Sequence, residues 1–277
     1  MSTKKKRFWS RFLVYIVLII GSVIMVLPYL WMISTAFKTF PETLRIPIQW
    51  LPSRIHLTNF REVLVRLNFG RYYVNTIAKT VSVVALQSLT CSMAAFGFSR
   101  IKFPGRTWIF MLFLSMMMIP SQMTLLPSFV LLSRIGWVDR FIVLVVPLSF
   151  SVYGCFFLRQ FFLAIPGELE ESAVIDGASK FSIYARIFVP LSGAAFAAFG
   201  IFTIRWAWND LMWPLIMTSR NNLRVLPVAI ATLVGEYVTR NNHLMAAAMM
   251  STLPLIIMFI FLPKHFIAGV ATTGLKM

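Results

Sequence analysis

Four of the nine acidic residues in the chain, Glu168, Glu170, Glu171 and Asp176, fall within residues 166–190, PGELEESAVIDGASKFSIYARIFVP. Glu168, Glu170 and Glu171 closely follow Pro166, where the free N–H groups and the dipole of a helix start favour negative charge. The pattern predicts a short helix that ends near Gly177, a residue able to take the left-handed conformation that stops a helix and turns the chain. A second helical stretch follows, with Phe181, Tyr184 and Phe188 at roughly helical spacing, until Pro190 resets the backbone. Because the runs on either side are far too apolar to be loops, these acids make a polar handle on a membrane body.

A second group lies in RWAWNDLMWPL, where Arg205 and Asp210 are read as two charges inside an apolar run. Five residues turn a helix through about 500°, which leaves them about 140° apart, so each needs its own partner on another helix or a water-filled cavity. Trp206, Asn209 and Trp213 have spacings of three and four and are expected to share one face. Aromatic faces beside an amide suit a sugar, whose ring offers C–H patches and whose hydroxyls need hydrogen bonds. The same residues also suit interhelical packing.

Other chemistries find no residues. No G-x-x-x-x-G-K-[ST] phosphate loop is present, so ATP is not expected to bind here in that manner. His56, His243 and His265 lie in loops or at the ends of apolar runs, and Cys91 and Cys155 have no second ligand at metal spacing. Paired mid-membrane carboxylates for a proton relay are missing. No catalytic residue, metal site or cofactor is expected, and the methionines, Met116–Met118 included, read as deformable packing.

The elements that must position these groups are spans. Of 277 residues, 58% are hydrophobic and 13% charged, which excludes an ordinary soluble globule. Six runs are long enough to cross a bilayer: 12–33, 74–97, 108–132, 141–162, 191–217 and 244–262. The expected fold is all-α, a single polytopic membrane domain over residues 1–277. The formal charge of +17 gathers at the ends of these runs, with no basic stripe interleaved with aromatics, so lipid and not nucleic acid is the expected partner.

Lys4, Lys5, Lys6, Arg7 and Arg11 place the N-terminus in the cytoplasm, and Arg100, Lys102 and Arg106 agree. The run after the N-terminal cluster is too long for a cleavable signal and reads as a retained span. Six crossings put both termini and the handle inside. Loop 34–73, with Lys38, Arg45, Arg54, Arg61, Arg66 and Arg71, opposes this charge rule. The segment 223–235 is too short to cross and reads as a re-entrant or surface helix. Pro28, Pro120, Pro127, Pro147 and Pro254 should kink the spans that hold them.

Glu171-Ser172-Ala173, then Asp176-Gly177-Ala178, then Ile187 and Val189-Pro190, resembles the EAA motif of binding-protein-dependent ABC importer permeases, with Ser for Ala at 172 and Val for Leu at 189. Trp208-Asn209-Asp210-Leu211-Met212-Trp213-Pro214-Leu215 is similar to a run common in the carbohydrate-uptake class, that of the second membrane subunit of maltose-type transporters. The tail from Phe266 to Lys276 fits that class too.

The resemblance implies an inner-membrane subunit forming half of a translocation path for a sugar or oligosaccharide. It implies a second permease subunit as heterodimer partner, two ATPase subunits and an extracytoplasmic binding protein. Loop 163–190 becomes the coupling element, with Glu171 and Asp176 in polar contacts, Gly177 at the turn, and Ser172, Ala173 and Ala178 packing closely. Trp206, Asn209, Asp210 and Trp213 become translocation-path residues. Residues 218–243 would reach toward the binding protein, and the tail toward the ATPase pair. A permease for a phosphorylated polyol such as glycerol 3-phosphate stays open as an alternative, since guanidinium binds phosphate. So does an ion-driven carrier or membrane enzyme.

Overall fold

Long apolar runs in lipid must satisfy their backbone internally, which leaves the helix as the element. A computed structural model describes residues 3–66, 68–234 and 240–261, and every regular element among them is helical. The main helices are α1 (Thr3–Ala36), α2 (Thr58–Arg66), α3 (Phe69–Arg100), α4 (Arg106–Ser115), α5 (Ser121–Arg134), α6 (Val152–Ala164), α7 (Glu168–Ile175), α8 (Gly193–Asn209), α9 (Met212–Met217), α10 (Leu226–Thr232) and α11 (Asn241–Phe261). The expected tail, Phe266 to Lys276, and the basic Lys264 lie outside the described residues.

Of the six apolar runs, three are continuous spans, in α1, α3 and α11, and three are bent pairs. Over residues 12–30 of α1 the apolar side chains are exposed on all sides, as lipid-facing residues are.

Each bend has a local cause. The run expected straight over 108–132 turns through 97° between α4 and α5. Ile119 precedes Pro120 and is extended at φ −83°, ψ 117°, because a residue before proline is crowded out of the helical region. Met116–Met118 form a 3-10 turn there and face outward, so they pack no core of this chain. Pro147 sits in a second 3-10 turn, before a 43° bend into α6. Pro28, Pro127 and Pro254 ride inside α1, α5 and α11.

The run expected over 191–217 is also not one helix. The helical piece Lys180–Leu191 meets α8 at 77°, the break falling at Ser192 (φ −96°, ψ 19°) rather than at Pro190. Pro190 is accommodated because Tyr184–Phe188 form a π turn in which the Val189 N–H bonds the Tyr184 carbonyl. Further on, α8 stops at Asn209 and Asp210 is extended (φ −68°, ψ 110°). In a continuous helix the Pro214 ring would strike the carbonyl of residue 210, so the chain breaks there and restarts as α9. Segment 223–235 contributes only the seven-residue α10, too short to cross; its last residue, 235, lies outside the described residues.

By internal packing the chain divides into two units. The first comprises residues 1–70 and 229–254. In it the buried Lys38 ammonium donates to the Gln49 carbonyl and lies 4.1 Å from the Trp31 ring centroid. Burial pushes its pKa down, against the opposing pull of Glu42. The Glu42 carboxylate accepts from the Thr39 N–H at 2.8 Å and the Ser53 N–H at 3.2 Å. Asn59 Nδ2 donates to the Ala36 and Lys38 carbonyls, both at 2.8 Å, and its Oδ1 accepts from Asn242 at 2.9 Å. The second unit, residues 71–228 and 255–277, holds an aromatic core of Phe96, Phe110, Phe162, Phe188 and Phe199 around the buried free thiols of Cys91 and Cys155. Gly154 lets α6 and α8 approach, since a Cβ there would lie 2.6 Å from the Phe199 ring.

Candidate functional site

Two groups of residues three and four apart, Asn75, Thr76 and Lys79 and then Gln87, Thr90 and Cys91, lie along α3, and each meets a place in the second unit where the backbone leaves regular helix. Asn75 Nδ2 donates to the Asn222 and Arg224 carbonyls at 2.8 and 2.9 Å, and Thr76 Oγ1 accepts the Leu226 N–H at 2.8 Å. Lys79 Nζ lies 2.6 Å from Asp210 Oδ2. Gln87 Nε2 donates to the Leu148 carbonyl at 2.7 Å, and Thr90 Oγ1 to the Ser149 carbonyl at 2.5 Å. Cys91 Sγ exchanges contacts with the Ser151 carbonyl and N–H at 3.4 and 3.3 Å. Irregular backbone at membrane depth survives only where such partners meet it.

The acidic handle hangs from the far end of α3. Arg100 donates to the Phe162 and Ile165 carbonyls at the end of α6, its guanidinium is 4.8 Å from the Phe188 ring, and it lies 3.9 Å from Glu170 Oε2. Glu170 Oε1 takes Lys180 Nζ at 2.8 Å. The helix expected after Pro166 is α7, with Glu168, Glu170 and Glu171 in its first turn. It ends in a Schellman motif: the Ala178 N–H bonds the Ala173 carbonyl at 2.9 Å, and the N–H of Gly177 (φ 78°) bonds the Val174 carbonyl at 3.0 Å. Asp176 occupies the C-cap.

Ala173 and Ala178 pack on the aromatic core. Glu171, Ser172, Asp176 and Gly177 face outward, with the Ser172 hydroxyl donating back to the Glu168 carbonyl at 2.8 Å. Leu169, Val174, Ile175 and Phe181 are exposed too, Ile175 at 86% and Phe181 at 66%. The handle thus presents acids and apolar side chains together. Phe181, unlike Tyr184 and Phe188, is not on the buried face and stands exposed in the first turn after Ser179.

The second sequence group is redistributed by the break at Asp210. Asp210 is paired with Lys79, and its Oδ1 accepts the Trp213 N–H at 3.3 Å, capping α9. Trp213 leaves the face expected with Trp206 and Asn209, and its Nε1 donates to the Val143 carbonyl at 2.8 Å. Asn209 Nδ2 folds back onto the Arg205 carbonyl at 2.8 Å. Trp206 instead borders a cavity of about 470 Å³ between α3, the bend before α6, and α8, together with Gln87, Phe150, Tyr153, Phe202 and Arg205. Small-molecule sites of this size hold an apolar lining and a few polar groups. Lys79 is the residue that sequence reasoning missed, although a lysine inside the run 74–97 was the signal for it.

A helical body of apolar spans, with polar anchors for broken ones and a projecting acidic loop, defines a multi-pass membrane permease. Residues 88–272 match the family described as the binding-protein-dependent transport system inner membrane component, and the chain belongs to that family. It is therefore a transport component of the inner membrane, as the EAA resemblance implied. Among similar proteins is the arabinooligosaccharides transport system permease protein AraQ of Halalkalibacterium halodurans. It is 32% identical over 256 residues, 91% of this chain and 92% of that protein. The sn-glycerol-3-phosphate transport system permease protein UgpE of Brucella abortus is 27% identical over 273 residues, 95% and 97% of the two chains. A chain from the crystal structure of a bacterial ABC transporter involved in the import of the acidic polysaccharide alginate shares the fold, with a TM-score of 0.85 at 21% identity over 96% of this chain and 99% of that one.

Proposed function

We propose that this chain, acting as one permease domain, forms half of the path by which an importer carries a sugar or oligosaccharide inward, and takes its drive through loop 163–190. The observation that carries this reading is α7: a short acidic helix with exposed apolar side chains, closed by Gly177 and braced at its base by Arg100 and Glu170. A rigid handle of that kind transmits force, because its stiff base turns a push on its outer face into a tilt of the spans. The partners are a second permease subunit, two ATPase subunits that hydrolyse ATP, and an external binding protein. In this reading Glu171 and Asp176 meet the ATPase through polar contacts, with Ser172 close beside them. The cavity beside Trp206 is the stretch of path that this chain contributes.

The carbohydrate assignment is supported by the name of the arabinooligosaccharide relative and by the aromatic faces of Trp206 and Tyr153 at the cavity. A second reading, a phosphorylated polyol, is favoured by Arg205 at the same cavity and by the name of the glycerol-3-phosphate relative. Affinity purification of the tagged chain from its own membranes tests the common core. An ATPase should co-purify, and its hydrolysis should rise when binding protein and substrate are added. Transport activity in the isolated chain, with no ATPase attached, contradicts the proposal and supports an ion-driven carrier instead.

A further inference from the structure

The open stretch of α1, residues 12–30, rises about 28 Å at the helical step, close to the roughly 30 Å of a bilayer's hydrocarbon core. Beyond it the helix end is covered, with Thr35, Ala36 and Lys38 buried. The cover is the chain's own loop. Trp50 packs edge-on against Trp31, ring centroids 5.3 Å apart, and the Ser34 hydroxyl donates to the Trp50 carbonyl. The Lys38 ammonium donates to the Gln49 carbonyl, and the His56 N–H to the Phe37 carbonyl at 3.1 Å. These bonds pin residues 49–56 at the level where the hydrocarbon must end.

The outer side of this loop is apolar. Ile46 and Leu51 are 95% and 79% exposed, and Ile48, Trp50 and Ile55 are exposed as well. Apolar side chains gathered on one surface in this way mark a place where something else docks. Arg45 and Arg54 are exposed among them, and residues 44–57 include no Asp or Glu. The acid just before, Glu42, is buried and held by the Thr39 and Ser53 N–H groups. Because the backbone here is irregular, it cannot enter the hydrocarbon with its N–H and C=O groups facing lipid, so the headgroup layer is the depth open to it. Tryptophan favours that same layer.

We propose that residues 44–57 are an interfacial anchor that lies on the membrane at the end of α1 away from the N-terminus. Ile46, Ile48 and Leu51 enter the boundary between headgroups and acyl chains, and Arg45 and Arg54 bind the phosphates of anionic phospholipid. Two observations favour lipid over a protein partner. The surface continues the lipid-facing side of α1, and its exposed charge is of one sign, complementary to an anionic headgroup. The loop whose basic residues oppose the charge rule thereby gains a counter-charge on its own side of the bilayer.

The test uses the complete transporter, purified with its partners and reconstituted in liposomes. Ile46→Cys and Leu51→Cys are each labelled with an NBD fluorophore, from which the buried Cys91 and Cys155 are shielded. Quenching is compared for lipids with a nitroxide near the headgroup, lipids with a nitroxide at mid-chain, and iodide in the water. The nitroxide near the headgroup should quench about twofold more than either alternative. Carried on phosphatidylglycerol, it should quench about twofold more than on phosphatidylcholine at equal content, and combining Arg45→Gln with Arg54→Gln should abolish that preference without changing subunit composition. Quenching chiefly by iodide overturns the anchor by placing the loop in water. Protection from all three quenchers also overturns it and assigns the face to the second permease subunit, and protection that appears only when binding protein is added assigns it to that protein. Equal quenching by the two lipids, or a preference that the arginine variant retains, overturns the anionic partner.

Discussion

Lys79 on α3 and Asp210 at the end of α8 form an ion pair of 2.6 Å, with side chains 1% and 11% exposed. The pair closes the break between α8 and α9, for the same carboxylate caps α9 through the Trp213 N–H. Removing one partner strands the other charge, which in buried pairs costs about 3–5 kcal/mol, whereas replacing both with apolar residues is often nearly neutral. Asp210→Leu and Lys79→Met are each expected to lower the unfolding temperature of the purified complex by several degrees. The double variant should recover most of that loss, in a thermal-melt double-mutant cycle. Additive single effects would show that the two charges are not coupled.

Gly177 closes α7 at φ 78°, and a Cβ there meets nothing within 4 Å. The cost of substitution is therefore in the backbone alone, about 1–2 kcal/mol for an L residue in the left-handed region, and more for a β-branched one. Gly177→Val is expected to insert normally but to uncouple uptake from ATP hydrolysis, and Gly177→Asn to retain most uptake. Gly177→Asp, with a side chain that also tolerates this conformation, tests the added charge separately and is expected to abolish transport. Equal activity in all three variants would remove the turn from the mechanism.

Gly154 is a packing constraint of a different kind, with Phe199 2.6 Å from where its Cβ would be. Gly154→Ala overpacks the contact between α6 and α8, a change that costs about 1–3 kcal/mol in a close-packed core. The same substitution beside Phe199→Leu should cost less. The comparison is read by chemical denaturation in detergent, and no rescue by the smaller side chain would contradict the contact.

Glu42 gives the first unit a pH dependence. A hydrogen bond from the Ser53 side chain foremost, and then one from the Thr39 N–H, hold its pKa down at about 2 from an ordinary 4.5. A depressed carboxyl pKa contributes stability that is complete above the unfolded value and is lost as pH falls through the folded one. The stretch 39–53 should therefore resist pepsin at pH 4 and yield as the pH approaches 2. Glu42→Gln should be cleaved across the whole window. A wild type as sensitive at pH 4 as the variant would contradict these hydrogen bonds.

The sequence made the continuous spans legible because length and apolarity alone define them: 74–97 lies within Phe69–Arg100, and 12–33 within Thr3–Ala36. It made α7 legible because acids at a helix start and a glycine at its end are local signals. The breaks were less visible. An apolar run keeps its hydropathy across a bend, so only prolines marked them: Pro120 and Pro147 stand at two of the bends, whereas the breaks at Ser192 and Asp210 fell inside the run expected as one span over 191–217. The sorting of Asp210 and Trp213 away from Trp206 depends on Lys79, which lies 131 residues from Asp210 in the chain. No periodicity within one segment can show such a pairing.

The central claim is that force enters through the outer face of α7, and site-directed cross-linking measures it most directly. A cysteine at the exposed position 171, in membranes holding the whole transporter, should react with a membrane-impermeant maleimide only from the cytoplasmic side. It should cross-link to the ATPase subunit, with a yield that changes when ATP binds. Labelling from the outside, or a full assembly in which residue 171 touches no ATPase in any nucleotide state, would contradict the account.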